Sequence, residues 1–398
     1  MAKRTARTPK ANAIGRWLDL AKGLLEQPTA ACKEECPQDY IRQFAHARPD
    51  LSLSEDPSGN LLIKYSASGG SKRPPLVMVA HLDHPGFWIE KVSARTVELK
   101  FQGGVGAGHA KPGMGVRFFA LGHAVAAGIG KLASVKEEKG RLVGATARIS
   151  AGMAPAGGFA MWDFPGFSVK DELFVTRCCD DLLGAAAALC VLDEIARIKP
   201  KGIELWGLFT RAEEIGFLGA LEAIRHKTIP KNACVLSLEC SKAAGIAPQG
   251  EGVIVRVGDR ASIFDPNLSE ALRQAAEKVR KKIPGFKYQR KLMDGGSCEA
   301  TAFCAHGFRA SGLAVPLGNY HNQAQDGKRK SIGPENVMID DFLHEIRLLV
   351  ELAQHPELLD QSVVSAPPWL AERSRAAQRE LRPKGRRVKI AARKHAID

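Results

Sequence analysis

Two histidines and a series of carboxylates fall where apolar runs of the chain end. His81 follows PLVMVA within HLDHPGF, and Asp83 comes two residues later. Asp180 and Asp181 stand between ELFVTR and the apolar stretch LLGAAAALC. Glu213 and Glu214 follow GIELWGLFT, Glu239 closes ACVLSL, and His321 follows ASGLAVPLG within NYHNQ. Imidazole and carboxylate are the N and O ligands that Zn²⁺, Co²⁺ and Mn²⁺ accept. Two ions about 3.5–4 Å apart share a carboxylate in many hydrolytic centres. The adjacent Glu213 and Glu214 suit a division of labour, because successive side chains of an extended segment point in opposite directions. One can ligate while its neighbour faces the attacking water.

A single histidine at a strand end is more often structural, so the reading rests on several such positions reaching one sheet edge together. Asp181 reads better as the N-cap of the helix that follows. Glu299 reads equally as a substrate contact or an exposed loop carboxylate. Cys178, Cys179, Cys240 and Cys298 read as small buried packing residues, because N and O donors already complete a ligand set. His109 and His123 read as solvated loop residues, and the glycines of FQGGVGAGHAKPGMG lack the strand-to-helix context of a nucleotide loop.

These side chains need a scaffold. Residues 11–48 read as two helices, followed by short strands at LSLSE and NLLIKYSA and a buried strand at PLVMVA. After 180 strands and helices alternate, which implies an α/β fold with a mostly parallel twisted sheet covered by helices. Ligands of such sheets bind at the carboxyl ends of the strands, where the candidate residues fall. Between 90 and 175 the texture is glycine-rich, with short alternating segments such as TVELKF and RLVGATARIS, as in a small barrel or sandwich. The expected division is a discontinuous α/β metallohydrolase domain over 11–89 and 176–360. A β-rich domain over 90–175 is inserted into it, and a basic disordered tail follows over 361–398. Two finer expectations are Asn267 and Ser269 as caps of the helix over 266–282, and one closing helix running from Pro334 to about 354.

The chain has 398 residues, 45% apolar and 25% charged, a composition that excludes fibrous and disordered classes. Its net charge of +14 suggests nucleic-acid binding until it is located: residues 1–10 carry +4 and residues 361–398 carry +7, leaving +3 for 11–360. The basic tails therefore read first as solvated chain, with weak, non-specific contact to nucleic acid as the alternative. No apolar stretch is long enough to cross a membrane, and the basic N-terminus lacks the apolar core of a secretory signal. A mitochondrial transit peptide is the weaker reading of that segment. Nine cysteines without a regular framework point to reduced thiols and a cytoplasmic location.

The order H-x-D, D-D before a helix, E-E-x-G-x-x-G-A, an acid at a strand end and a late histidine resembles the glutamyl or tetrahedral-type metallo-aminopeptidases of the dinuclear zinc exopeptidase clan. The resemblance covers roughly residues 50–355. It implies that His81, Asp180 and Glu239 hold one divalent ion, and that Asp180, Glu214 and His321 hold a second. Zinc is the expected metal, with cobalt or manganese as alternatives. Glu213 becomes the general base, and Asp83 orients His81. Some positions depart from the family pattern. Leu182 replaces an Arg, His84 replaces an acid, Glu239 stands for Asp, and Cys298 and Glu299 stand for Thr and Asp. The implied function is a metal-dependent aminopeptidase that hydrolyses N-terminal residues from peptides, working as a homo-oligomer. The rivals are a related amidohydrolase or deacylase and a non-catalytic, basic-tailed binding protein.

Overall fold

The structure is a computed structural model that describes residues 11–67, 70–243, 246–360 and 368–381. The chain divides into a unit ending at Asp360 and a C-terminal unit beginning at Gln361. In the C-terminal unit the described residues form one helix, Pro368–Glu380, which corrects the expected disordered tail over that stretch. The rest of the expected disordered tail, 361–367 and 382–398, lies outside the described residues, as do the basic residues of 1–10.

The first unit opens with helices α1 (Ala11–Leu25) and α2 (Glu35–His46), then strands β1 (Leu51–Glu55), β2 (Leu61–Ser66) and β3 (Leu76–His81). Strands β4 (Gly86–Ser93), β5 (Thr96–Gln102), β6 (Gly115–Phe119), β7 (Gly128–Glu138), β8 (Arg141–Gly152) and β9 (Phe159–Trp162) close into a barrel in the order β4-β5-β8-β7-β6-β9. Two short strands, β10 (Ser168–Lys170) and β11 (Leu173–Thr176), lead to α3 (Leu182–Ile198). Next come β12 (Glu204–Thr210), a 3₁₀ turn at Glu213–Ile215, α4 (Leu218–Arg225), β13 (Cys234–Lys242), β14 (Val253–Asp259) and α5 (Pro266–Lys282). The unit finishes with β15 (Tyr288–Met293), α6 (Glu299–Ala305), β16 (Arg309–Leu317), the hairpin β17 (Gln323–Asp326) and β18 (Arg329–Ile332), β19 (Glu335–Met338) and α7 (Ile339–Gln354).

Eight strands form the main sheet in the order β1-β2-β12-β3-β13-β16-β14-β15. Its centre, β12-β3-β13-β16, is parallel throughout. β3 shows how the sheet is covered. Leu76, Met78 and Ala80 pack into the core shared with α1, α3, α5 and α7, whereas Val77 and Val79 pack into the core shared with α4 and α6. The two-residue alternation of a strand thus sends one apolar run into two helical layers, and all six residues of β3 are buried. The barrel has its own core, centred on Phe87, Phe101, Phe118 and Trp162.

Local chemistry sets the element ends. Asp181 caps α3 by accepting the Gly184 amide at 3.3 Å. A Cβ on Gly184 would lie 2.5 Å from that carboxylate, so only glycine leaves room for the cap. α5 is capped by Asp265, which accepts the Leu268 amide at 2.7 Å, and not by Asn267 or Ser269. Asp265 precedes Pro266, whose fixed φ suits the first helical position, and Ser269 instead bonds Ser311 at 2.9 Å. The expected single closing helix is also corrected: Glu335–Met338 forms β19, antiparallel to β11, and α7 starts only at Ile339.

Candidate metal centre

Parallel strands bring the candidate residues to one edge. His81 ends β3, Glu239 lies in β13, the Glu213–Glu214 pair follows β12, and His321 lies in the turn after β16. Asp180 enters from the segment before α3. The donor atoms of His81, Asp180 and Glu239 lie within 4.8 Å of one another, and so do those of Asp180, Glu214 and His321. His81 Nε2 lies 3.5 Å from Asp180 Oδ1, and His321 Nε2 lies 3.5 Å from Asp180 Oδ2, so the two carboxylate oxygens face different imidazoles. Glu214 Oε1 is 3.1 Å from His321 Nε2. Glu213 Oε2 is 3.8 Å from His81 Nε2 and lines a cavity of about 200 Å³ that also exposes His81, Asp180, Glu239 and His321.

The turn that carries the glutamate pair is firmly held. Ala212 before it and Phe217 after it adopt left-handed backbone (φ 54° and 59°), conformations that persist only where the surroundings fix them. Asp83 accepts the main-chain amides of both glutamates, and His81 Nδ1 lies 3.2 Å from the Asp83 carbonyl. Glu34 accepts the Ala212 amide at 3.0 Å and pairs with Arg211 Nε at 2.8 Å. On the other arm, His321 Nδ1 lies 2.8 Å from the Gly104 carbonyl, which belongs to the loop after β5, and Tyr320 stacks on the ring at 3.8 Å. His84 spans both arms, with its ring nitrogens 2.7 Å from the Asp180 carbonyl and 3.0 Å from Asn322 Oδ1.

The electrostatics favour a cation. Burial resists charging of His81, yet Glu213, Asp180 and Asp83 outweigh it and raise its pKa well above the ordinary value. Glu214 and Asp180 do the same to His321. Burial, reinforced by the Glu214, Glu239 and Asp83 carboxylates, pushes Glu213 well up although His81 opposes it. Asp180 Oδ1 and Glu214 Oε1 are buried and make no hydrogen bond within the protein. Buried carboxylate oxygens of this kind call for a partner, and the two His-plus-carboxylate sets fit divalent ions. A third grouping, Asp180, Asp181 and Cys240, is also compact. Burial raises the Cys240 thiol well above its usual range, which disfavours the thiolate that metal binding requires, and Asp181 is engaged as the α3 cap.

Other expectations need correction. Glu299 is neither an exposed loop carboxylate nor part of the cavity lining. It is fully buried in the first turn of α6, accepts Thr210 Oγ1 at 2.6 Å, and burial pushes its pKa up to about 8. His109 is buried, with Nδ1 3.0 Å from the Ser331 carbonyl, whereas His123 is exposed as expected. Four supporting residues were missed: Glu34, Arg256, Asn322 and Glu335. Arg256 carried a signal, a charge inside the apolar run VIVRV. It is buried on β14, lines the cavity, and its Nε has no hydrogen-bond partner.

Residues 147–332 match the model of the M42 glutamyl aminopeptidase family, the family that the ordered motifs resemble. The structure is similar to an aminopeptidase from the archaeon Desulfurococcus kamchatkensis, with a TM-score of 0.72 at 18% identity, covering 89% of this chain and 99% of that one. It is also similar to a TET aminopeptidase from a marine sediment Thaumarchaeota archaeon (TM-score 0.70, 20% identity, 87% and 99% covered). A third likeness is to the TET1 peptidase of Pyrococcus horikoshii, which can assemble into a tetrahedron or a large octahedral shell (TM-score 0.66, 21% identity, 85% and 99% covered). These likenesses show the fold. No curated protein matches the chain by sequence.

Proposed function

We propose that this chain is a metal-dependent aminopeptidase of the M42 glutamyl aminopeptidase type that removes residues one at a time from the free amino end of peptides. His81, Asp180 and Glu239 hold one divalent ion, and Asp180, Glu214 and His321 hold the other. Zinc is the first choice of metal, because the set combines imidazole and carboxylate donors. Ions bound there supply Lewis acidity: they make water a nucleophile near neutral pH and polarise the scissile carbonyl.

The observation that carries this reading is the divergence of two adjacent glutamates. Glu214 turns to His321, whereas Glu213 lines the open cavity. Glu213 can therefore take a proton from the attacking water and return it to the leaving amine. Asp83 fixes the amides beneath the pair. A free α-amine can coordinate an ion or donate to a carboxylate of the set, which an acylated nitrogen does poorly, so the peptide enters amino end first.

We further infer a homo-oligomer, as in the TET1 likeness, and a cytoplasmic setting, consistent with nine free cysteines. No helix among the described residues is long and apolar enough to cross a membrane. Light scattering of the purified protein tests the oligomer. The decisive experiment compares unblocked aminoacyl amides and short peptides with their N-acetylated forms on metal-loaded enzyme. The expected result is cleavage of the free forms, with the blocked forms slower by more than about 10²-fold. Hydrolysis of N-acyl amino acids alone would replace this reading with a deacylase.

A further inference from the structure

Glu335 is the first residue of β19 and is fully buried. Its Oε2 accepts the main-chain amides of Cys179 at 2.6 Å and Asp180 at 3.1 Å, while its Oε1 accepts the His321 amide at 2.8 Å. One carboxylate thus ties the segment that delivers the shared ligand to the turn that delivers the late histidine. The two lie far apart in sequence, separated from Glu335 by 155 and 14 residues. Pairing of Thr176 with Glu335 sets one side of this join, and the bridge between Gly318 and Asn336 sets the other.

The His321 turn needs such a hold. Asn319, His321 and Asn322 all adopt left-handed backbone, with φ of 54°, 55° and 60°. Non-glycine residues stay in that region only where the surroundings over-determine them. The amide of His321 finds its acceptor in Glu335, and the ring it carries points Nε2 at Asp180 and Glu214.

We propose that Glu335 is a positioning residue that locks the Asp180 and His321 arms together, and thereby sets the affinity for the second ion, the one held by Asp180, Glu214 and His321. The inference rests on the metal reading above. It acts less on the first ion, because His81 and Glu239 are carried by β3 and β13 of the main sheet and only Asp180 of that set is held by the clamp, whereas both Asp180 and His321 of the second set are. A carboxylate has lone pairs for all three amides. A glutamine offers one acceptor oxygen, and its NH₂ would face an amide that also donates, leaving a buried donor unmatched. Loss of such a supporting group commonly weakens metal affinity by roughly 10–100-fold.

The test uses the full chain as parent, E335Q and E335D, each stripped by a chelator and checked for fold by circular dichroism. Cobalt(II) is then titrated and followed by visible absorption and calorimetry. The parent should bind two ions. E335Q should bind the first ion within about threefold of the parent and the second roughly 10–100-fold more weakly, and excess cobalt should restore turnover. E335D keeps the charge but withdraws it by one methylene, so it should fall between the two. Parental affinity for both ions in E335Q overturns the proposal, as does an equal loss of both. If E335Q does not fold, E335D decides: a second-ion affinity equal to the parent's overturns the clamp. A parent that never binds two ions fails in a separate, recognisable way, by removing the metal reading and this proposal with it.

Discussion

Oδ1 of Asp83 accepts the main-chain amide of Glu213 at 2.8 Å, while the Asp83 carbonyl lies 3.2 Å from Nδ1 of His81. One residue therefore aligns the imidazole proposed as a metal ligand and the backbone of the proposed base. Asp83→Asn keeps the shape but turns an NH₂ group toward one of the two glutamate amides. Turnover should fall roughly 10–100-fold, with metal content reduced less than turnover. Steady-state kinetics paired with elemental analysis checks this, and a fully active variant would refute the role.

The two glutamates should separate cleanly. Glu213→Gln removes the proton acceptor and leaves both ligand sets intact, so kcat should drop by about 10²–10⁴-fold with near-normal metal content. Glu214→Gln should instead lose one ion of the pair. Finding the phenotypes exchanged would reverse the two assignments.

Metal removal should cost stability as well as activity. An ion that binds only the folded state at a hundred times its Kd adds about 2.7 kcal/mol to stability. Chelated protein should therefore be inactive and melt several degrees lower, and zinc, cobalt or manganese should restore both properties. Calorimetric scans of the stripped and reloaded protein decide the point. Identical melting curves would show that the clustered residues hold no ion.

Glu345 on α7, which lies outside the ligand sets, predicts a pH dependence of stability. It is fully buried, neither carboxylate oxygen has a hydrogen-bond partner, and burial, with Glu239 nearby, pushes its pKa up to about 8. The folded state therefore keeps this proton above the pH at which the unfolded chain releases it. The associated stability is fully present below the unfolded value near 4.5 and is lost as pH rises toward 8, at roughly 1.4 kcal/mol per pKa unit. In the metal-free protein, Glu345→Gln should flatten this decline and melt higher than the parent at pH 8.5. Denaturation curves at pH 5 and 8.5 test it, and an unchanged slope would contradict the assignment.

The sequence was most readable where one residue both marked an element and joined the cluster. His81 ends an apolar run, and Glu239 interrupts one; in each case a polar group in an apolar strand marks the sheet edge. The Glu213–Glu214 pair diverges as expected, but not for the expected reason: it lies in a 3₁₀ turn and not in an extended segment. Glu335 was hidden, because PEN before an amphipathic run looks like the first turn of a helix. Its role comes from pairing with β11, which lies far away in sequence. The caps of α5 were misread for a local reason: Asp265 sits just outside the periodic pattern, while Asn267 and Ser269 sit inside it. β15, YQRKLM, is a charged edge strand with little apolar signal, and its neighbour β14 is broken by Arg256.

The barrel strands begin at Gly86 and end at Trp162, and Phe87 pairs directly with Ala160. Entry and exit therefore share one doorway, so the module resembles a plug-in cartridge in the loop between His81 and Asp180. Strands could be lengthened or exchanged at its far side without moving either residue. One connection limits that freedom. The loop after β5 offers the Gly104 carbonyl to His321, and the β17–β18 hairpin grips the same loop through Gln323 and the Ser331 carbonyl. A grafted replacement that omits residues 103–111 would leave the catalytic face with a histidine unsupported from above.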